Sequence, residues 1–222
     1  MISAYRGLKE LPPNFGPCIA AIGNFDGVHC GHRQILRAVV EEARWRGMKA
    51  VAITFDPHPD KFLRPDCAPG LLTPMDHRID LLSETGIDAV VILSFDETLA
   101  RLTAREFVDW VLGDALGVAG LHEGGNFRFG FKAEAGVREL AAFGVQAGFT
   151  VTVHDAVHVH SLEVSSSAIR DLVCAGDMRR ARWMLGRPFS VRGFQKRDRG
   201  VGSRLLVPTV NLAPCLGLLP AH

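Results

Sequence analysis

The sequence lacks any apolar run near the roughly 20 residues that a membrane-spanning helix needs; runs such as Ala89–Leu93 are far shorter. The opening stretch MISAYRGLKELPPNFG has no apolar core of the signal-peptide kind. Charge of either sign is not in excess, with 25 Lys+Arg against 24 Asp+Glu. A net charge of +1 supplies no general field for capturing nucleic acid or an anionic membrane. The five cysteines (Cys18, Cys30, Cys67, Cys174 and Cys215) are scattered and form no C-x-x-C pair. An odd, unpaired set predicts free thiols in a reducing cytoplasm rather than a disulfide framework. Internal repeats and low-complexity segments are absent as well.

What the chain does contain is a packed globular composition, 47% hydrophobic and 22% charged over 222 residues. That length suits one large domain, or one domain and part of another. Short apolar runs alternate with segments of helical period. Cys18–Ile22, Ala50–Phe55 and Ala89–Leu93 read as buried strands, and GVAGLHEG (117–124) and FTVTVH (149–154) as further ones. Between them, Ile35, Leu36, Val39, Val40 and Ala43 share one face of a helix predicted over His32–Arg46, with Gly47 as its stop. A second helix is built on Met75, Ile79 and Leu82. A third is opened by a capping box at Thr103 and Glu106, and a fourth lies around Glu139–Gln146. This alternation predicts an α/β fold, a doubly wound parallel sheet with helices on both faces, whose ligands bind beyond the carboxyl ends of the strands.

The stretch AIGNFDGVHCGHRQIL (21–36) leaves the carboxyl end of the first predicted strand and enters a helix. His29, Cys30 and His32 are competent zinc ligands by type, but residues 29 and 30 are adjacent and point apart, and no second cluster completes a set. His158 and His160 share one face of a predicted strand and read more simply as exposed polar residues. A glycine-flanked turn at a helix start offers unpaired backbone N–H groups and the positive end of the helix dipole, which together suit a phosphate. An ordinary strand-helix loop with incidental histidines is the plain alternative.

GNFDGVHCGH resembles the H-x-G-H signature of nucleotidyltransferases, and in its full form that of the bacterial bifunctional riboflavin kinase/FMN adenylyltransferase (FAD synthetase) family. TFDPHP (54–59), GGNFRFG (124–130), VSSSAIR (164–170) with the following Gly176-Asp177, and GRPFSVRG with PTVN (208–211) match that family's further motifs in order. The resemblance covers nearly the whole chain. It implies a Rossmann-like nucleotidyltransferase domain over 1–186, then the N-terminal fragment of a riboflavin kinase β-barrel module over 187–222. The implied reaction is attack of the FMN phosphate on the α-phosphorus of ATP, giving FAD and pyrophosphate with Mg²⁺ accompanying the nucleotide. A phosphate monoester is largely dianionic at neutral pH, so the chemistry needs alignment and charge neutralisation more than a strong base.

On this resemblance His29, His32 and Arg170 are the expected catalytic residues, the histidines on the α- and β-phosphates and the arginine fork on the outgoing phosphates. Gly23, Asn24, Phe25, Asp26, Gly27, Gly31, Ser165, Ser166, Ser167 and Asp177 are expected to bind ATP. The serines are also natural helix caps, as is Asp177. Phe55, Pro57, His58, Pro59 and Asn126 are expected to hold FMN, with Phe127 and Phe129 read as core. Thr209 and Asn211 would be remnants of a kinase site. No protein-held metal is expected, and the partners are small molecules: ATP, FMN and, for the longer family members, riboflavin.

Two departures stand out. After NFRFG the family's glycine- and arginine-rich stretch is replaced by FKAEAGV, where Lys132 is a poorer fork than arginine. Leu206-Val207 and Val210 stand where the family has Gly-Phe and Ala, and the sequence given ends well short of the hundred or so residues of a kinase barrel. The apolar segment LLVPTVNLAPCLGLLPAH is then expected to dock on the first domain, self-associate or stay disordered. Two other readings carry forward: another H-x-G-H nucleotidyltransferase, against which DPHP and NFRFG argue, and a non-catalytic flavin or nucleotide sensor, against which His29, His32 and Arg170 argue.

Overall fold

The computed structural model describes residues 2–196, 211–214, 218 and 220. Six strands form its central sheet: β1 (Ser3–Arg6), β2 (Cys18–Ile22), β3 (Lys49–Asp56), β4 (Ala89–Ser94), β5 (Val118–Gly124) and β6 (Thr150–His154). They lie in the order β1-β4-β3-β2-β5-β6, and every neighbouring pair is parallel. The fold is therefore the expected doubly wound α/β sheet. β2 is buried along its whole length, which explains its uninterrupted apolar sequence. Cys18, Ala20 and Ile22 face one core with Val108, Leu112 and Leu121; Ile19 and Ala21 face another.

The second core is closed by α1 (Cys30–Arg46) and α2 (Met75–Ser83), through Leu36, Val39, Ala43, Leu81 and Leu82. α3 (Val137–Ala147) contributes Leu140 to the first. α4 (Ser166–Cys174) and α5 (Met178–Leu185) build a smaller third cluster with Leu72 and Val164. The expected capping box is present: Thr103 Oγ1 accepts the Glu106 N–H, and Glu106 accepts the Thr103 N–H. Among the described residues no helix is long and apolar enough to cross a membrane.

Three details differ from the sequence reading. β1 is an additional edge strand, four residues long and half-exposed, too short to carry a clear period. α1 begins two residues earlier than expected, at Cys30, because His29 itself caps it. His160 is not in a strand but in a turn with Ser161, at φ +48° and +65°, and its ring lies against Trp183.

The chain runs outward from β2 to β3 and β4, then returns to β2's other side to lay down β5. The strand order reverses between β2 and β5, so their carboxyl ends splay the loops on either side of a crevice. The loop 23–29 leaves one, and Gly125–Phe127 leaves the other. Near the end of the chain, β7 (Gly193–Lys196) pairs antiparallel with β8 (Asn211–Pro214), which places Asn211 in a strand; Thr209 lies outside the described residues. Leu218 donates its N–H to the Leu71 carbonyl at 2.7 Å and packs against the third cluster; most of the segment expected to dock, self-associate or stay disordered lies outside the described residues.

Gly130 turns the chain beside the crevice at φ +78°, and a Cβ there would lie 2.7 Å from the Ala104 backbone nitrogen. Both the left-handed backbone and the overlap penalise any side chain. Gly130→Ala is expected to lower unfolding free energy by at least about 2 kcal/mol, measured by urea denaturation; a loss under about 0.5 kcal/mol would show that the loop simply yields.

Candidate functional site

The loop after β2 is held in a conformation its own residues do not favour. Phe25, Gly27 and Val28 have φ of +46°, +85° and +38°. For a β-branched valine this is a strained state, which persists only when packing overdetermines it. Here the Phe25 and Val28 side chains are both buried in the core beneath α1. Phe25 therefore points down, edge-on to His32 at 5.2 Å between ring centroids, and props that imidazole.

Asp26 is fully buried. Its carboxylate accepts the N–H groups of Leu72 and Thr73, each at 2.9 Å, the Thr73 hydroxyl at 3.1 Å and Arg170 Nη2 at 2.7 Å. Gly27 donates its N–H to Thr73 Oγ1 at 3.0 Å, and a Cβ on it would meet Leu72 at 2.9 Å. Asp26 and Gly27, expected as ATP contacts, are thus the loop's internal fastening. Gly23 donates to the Ile53 carbonyl and extends the sheet by one bond.

His29 caps α1: its Nδ1 accepts the His32 N–H at 3.3 Å. An accepting Nδ1 places the neutral imidazole's proton on Nε2, which leaves Nε2–H as the donor. His29 and His32 stack at 3.5 Å between centroids with rings 17° apart. Gly31 makes room for this, since a Cβ there would sit 3.3 Å from the His29 ring. Burial pushes His29 down to about 4, with Asp26 opposing and Arg187 and Arg170 assisting the shift. Burial also takes His32 well below its usual range, with His29 and Arg78 adding to it. Both rings are therefore neutral near pH 7. With His32's N–H capped and Arg33's N–H on the His29 carbonyl, the outward N–H groups of α1 are those of Cys30 and Gly31. Cys30 Sγ turns away to the Trp183 carbonyl, so the His29-Cys30-His32 trio does not converge on a common point.

Across the crevice, the Asn24 amide lies 3.0 Å from His58 Nε2, while His58 Nδ1 accepts the Asp60 N–H. The Asn24 side of this contact is its amide nitrogen, Nδ2. Burial lowers the His58 pKa, with Asp60 opposing. His58 is a helix cap and a brace for Asn24. Beside it opens a cavity of about 850 Å³, a volume suited to one medium-sized ligand. Phe55, Pro59 and Asn126 line it as expected, but Pro57 and His58 do not. Phe127 and Phe129, read as core, stack on one another 15° from parallel and form its wall; Phe129 is buried as well. Arg128 is fastened to the carbonyl of Ala133 in the divergent segment at 2.6 Å, and within that segment Lys132 folds over Phe131. Gly23 and Asn24 belong to both the cavity wall and the phosphate-type loop, so the two halves of the site share an edge.

Ser165 caps α4 by accepting the Ala168 N–H, and Ser166 donates to the Asp26 carbonyl at 2.8 Å; Ser167 is exposed. Asp177 caps α5 through the Arg180 N–H, the structural half of its expected role. Arg170 donates Nε to the Gly70 carbonyl and Nη2 to Asp26, so its fork is engaged with the protein.

The matching family model is FAD synthetase, over residues 11–168. The chain belongs to the FAD synthetase family. It is 38% identical over 207 residues to the bifunctional riboflavin kinase/FMN adenylyltransferase of Pseudomonas fluorescens, and 34% identical over 209 to that of Escherichia coli K12. Each match covers 93% of this chain and 66% of the relative, so the chain spans just under two thirds of their length. A crystal structure titled macrolide-efflux protein, from Streptococcus pneumoniae, superposes with a TM-score of 0.85 at 25% identity, covering 100% of this chain and 72% of that one. A pantoate-beta-alanine ligase from Francisella tularensis shares the fold at TM-score 0.51 and 14% identity, covering 77% of this chain and 72% of that one.

Four residues at this loop escaped the sequence reading. Thr73 and Arg78 approach Asp26 from 70–78, Glu123 accepts the Ile22 N–H at 2.6 Å, and Arg187 donates to the Gly27 and Val28 carbonyls. Burial raises Glu123 well above the usual carboxyl range. The only sequence signal for it was a carboxyl group at the end of a buried strand.

An imidazole held at about 4 in the fold and near 6.5 when unfolded leaves the unfolded chain binding more protons. Its contribution is complete above pH 6.5 and is lost as pH falls toward 4. The loss attributable to His29 is about 2 kcal/mol between pH 7 and pH 5. His29→Asn keeps a helix cap and removes the titration. Urea melts at the two pH values should show the variant losing about 2 kcal/mol less than wild type; equal losses would mean that His29 is not the buried base described.

Proposed function

We propose that this FAD synthetase-family chain transfers the adenylyl group of ATP to the phosphate of FMN. An FMN phosphate oxygen forms a bond to the α-phosphorus, the α–β bridging bond breaks, and pyrophosphate leaves. The observation that carries this reading is the shared edge at Gly23 and Asn24: an aromatic-walled cavity borders the loop that leads to the N-terminus of α1, where the Cys30 and Gly31 amides have no partner among the described residues. A flat ring system suits the first and a row of phosphates the second.

In this reading the Cys30 and Gly31 amides and the His29 Nε2–H face the α- and β-phosphates. His32, stacked on His29 and propped by Phe25, adds a second neutral ring to the site. Neutral donors orient phosphates without drawing a proton from them, which fits a nucleophile that arrives already ionised. Arg170 reaches the outgoing phosphates, and Ser165 to Ser167 bring the start of α4 alongside. The isoalloxazine ring lies between Phe55, Pro59 and the Phe127-Phe129 pair, with Asn126 on its polar edge.

Asp26, the loop's own carboxylate, is taken up by N–H and O–H donors, so Mg²⁺ would be held by nucleotide oxygens and water more than by this chain. There it would neutralise charge on the leaving pyrophosphate. We further assign residues 1–186 to this domain and 187–222 to the beginning of a kinase module, place the protein in the cytoplasm, and assign it no nucleic-acid partner. Cys18, Cys30, Cys67 and Cys174 are all free thiols, in keeping with a reducing compartment.

Incubation with FMN, ATP and Mg²⁺ is expected to yield FAD and pyrophosphate, followed by chromatography of the flavins. His29→Asn, which retains a cap, should lower kcat by roughly 10²–10³. Arg170→Lys should lose nearly as much as Arg170→Ala, because only the planar fork grips two oxygens at once. Binding of FMN and ATP without turnover would support the sensor reading instead.

A further inference from the structure

Arg78 carries a guanidinium into the interior. Its side chain is 2% exposed, and two of its nitrogens, Nε and Nη1, have no hydrogen-bond partner among the described residues. The third, Nη2, makes a long bond of 3.3 Å to the Thr73 carbonyl and stands 3.8 Å from Asp26 Oδ1. Arginine does not shed its proton in proteins, so this is a buried, under-bonded positive charge. A fold avoids such a group unless some state of the protein uses it.

Asp26 supplies the context. Two arginines serve this one carboxylate from opposite oxygens. Arg170 holds Oδ2 at 2.7 Å from a partly open position, 12% exposed, at the rim of the site. Arg78 stands off Oδ1 from within. Arg170 is also the residue assigned to the outgoing phosphates, so in the proposed reaction it must exchange Asp26 for the nucleotide. That exchange would leave Oδ2 with only the Leu72 N–H, on a carboxylate with no access to water. The penalty would fall on nucleotide binding.

Resting on the function proposed above, we infer that Arg78 is a positioning residue that holds the charge of Asp26 while Arg170 turns to the outgoing phosphates. A small side-chain shift closes the 3.8 Å gap between Nη2 and Oδ1, and with no bonds at Nε or Nη1 the guanidinium has little to break in making it. Arg78 itself touches no substrate. Loss of pyrophosphate returns Arg170 to Asp26 and Arg78 to its stand-off position. Removing Arg78 leaves Arg170 as the carboxylate's sole cation and locks it in place.

The test compares binding of Mg·ATP and of AMP by calorimetry, with KM and kcat for both substrates, in wild type, Arg78→Met and Arg78→Lys. AMP lacks the phosphates that Arg170 would grip. Arg78→Met should weaken Mg·ATP at least tenfold and leave AMP affinity and the KM for FMN within twofold. Arg78→Lys, which keeps the charge, should recover most of the loss. In an Arg170→Met background, Arg78→Met should add less than twofold to the ATP defect, since no fork remains to release. Equal weakening of AMP and ATP, unchanged ATP binding, or a full additive loss in the Arg170→Met background would each overturn the inference. Should Arg78→Met not fold, Arg78→Lys decides: its residual defect must fall on ATP and spare AMP, and an equal effect on both overturns the idea. Failure of the wild type to bind ATP or to form FAD would instead overturn the functional reading and is scored separately.

Discussion

The site depends on one buried carboxylate. Asp26 ties together three parts of the chain: its own loop, the Leu72-Thr73 backbone 46 and 47 residues on, and Arg170 on α4, 144 residues on. An ionised group without access to water is tolerable only where donors surround it, and here each oxygen has two or more. Because two of those four donors are the consecutive backbone N–H groups of Leu72 and Thr73, Asp26 fixes the path of that backbone and not merely a side chain. α4 and α5 then pack on Leu72, so the third core cluster is oriented through the same contact.

That constraint explains how a strained loop can be a rigid one. Phe25 and Val28 hold left-handed backbone because their side chains are buried below, and Asp26 and Gly27 are fastened on the other side by Thr73. Arg187 closes the remaining carbonyls of Gly27 and Val28. What the loop presents outward is consequently narrow: two helix-start amides and a pair of stacked imidazoles. Preorganised donors of this sort lose little on binding an anion, because no rearrangement precedes the contact.

The sheet, its order of alternation and most helices were legible in the sequence because period and glycine punctuation report local burial directly. Cys18–Ile22 was found to the residue. β1 was not, because four half-exposed residues have no distinctive period. Within GNFDGVHCGH the loop's place between β2 and α1 was legible, but the partners of its residues were not. Phe25, Asp26 and Gly27 sit among nucleotide-binding residues in the pattern, yet their partners (Leu72, Thr73, the core under α1) are set by tertiary packing that no local spacing encodes. The same holds for His58, whose motif suggests a ligand wall and whose ring instead braces Asn24. Thr73, Arg78, Glu123 and Arg187 were invisible for the converse reason: each is an ordinary residue until the fold brings it to the loop.

The charge at this site is distributed in an uneven way that bears on its chemistry. Histidines in a phosphate site invite the idea of cationic imidazolium, but burial keeps both rings neutral, and neighbouring arginines reinforce that. Positive charge is supplied instead by the α1 terminus and by guanidinium groups, none of which gives up a proton near neutral pH. In the proposed reaction such a site neutralises several phosphates without protonating the attacking one, whose reactivity depends on its remaining ionised. Burial of His29 and His32 therefore does more than anchor them in the fold: it divides the work, leaving orientation to the imidazoles and charge to groups that cannot exchange it.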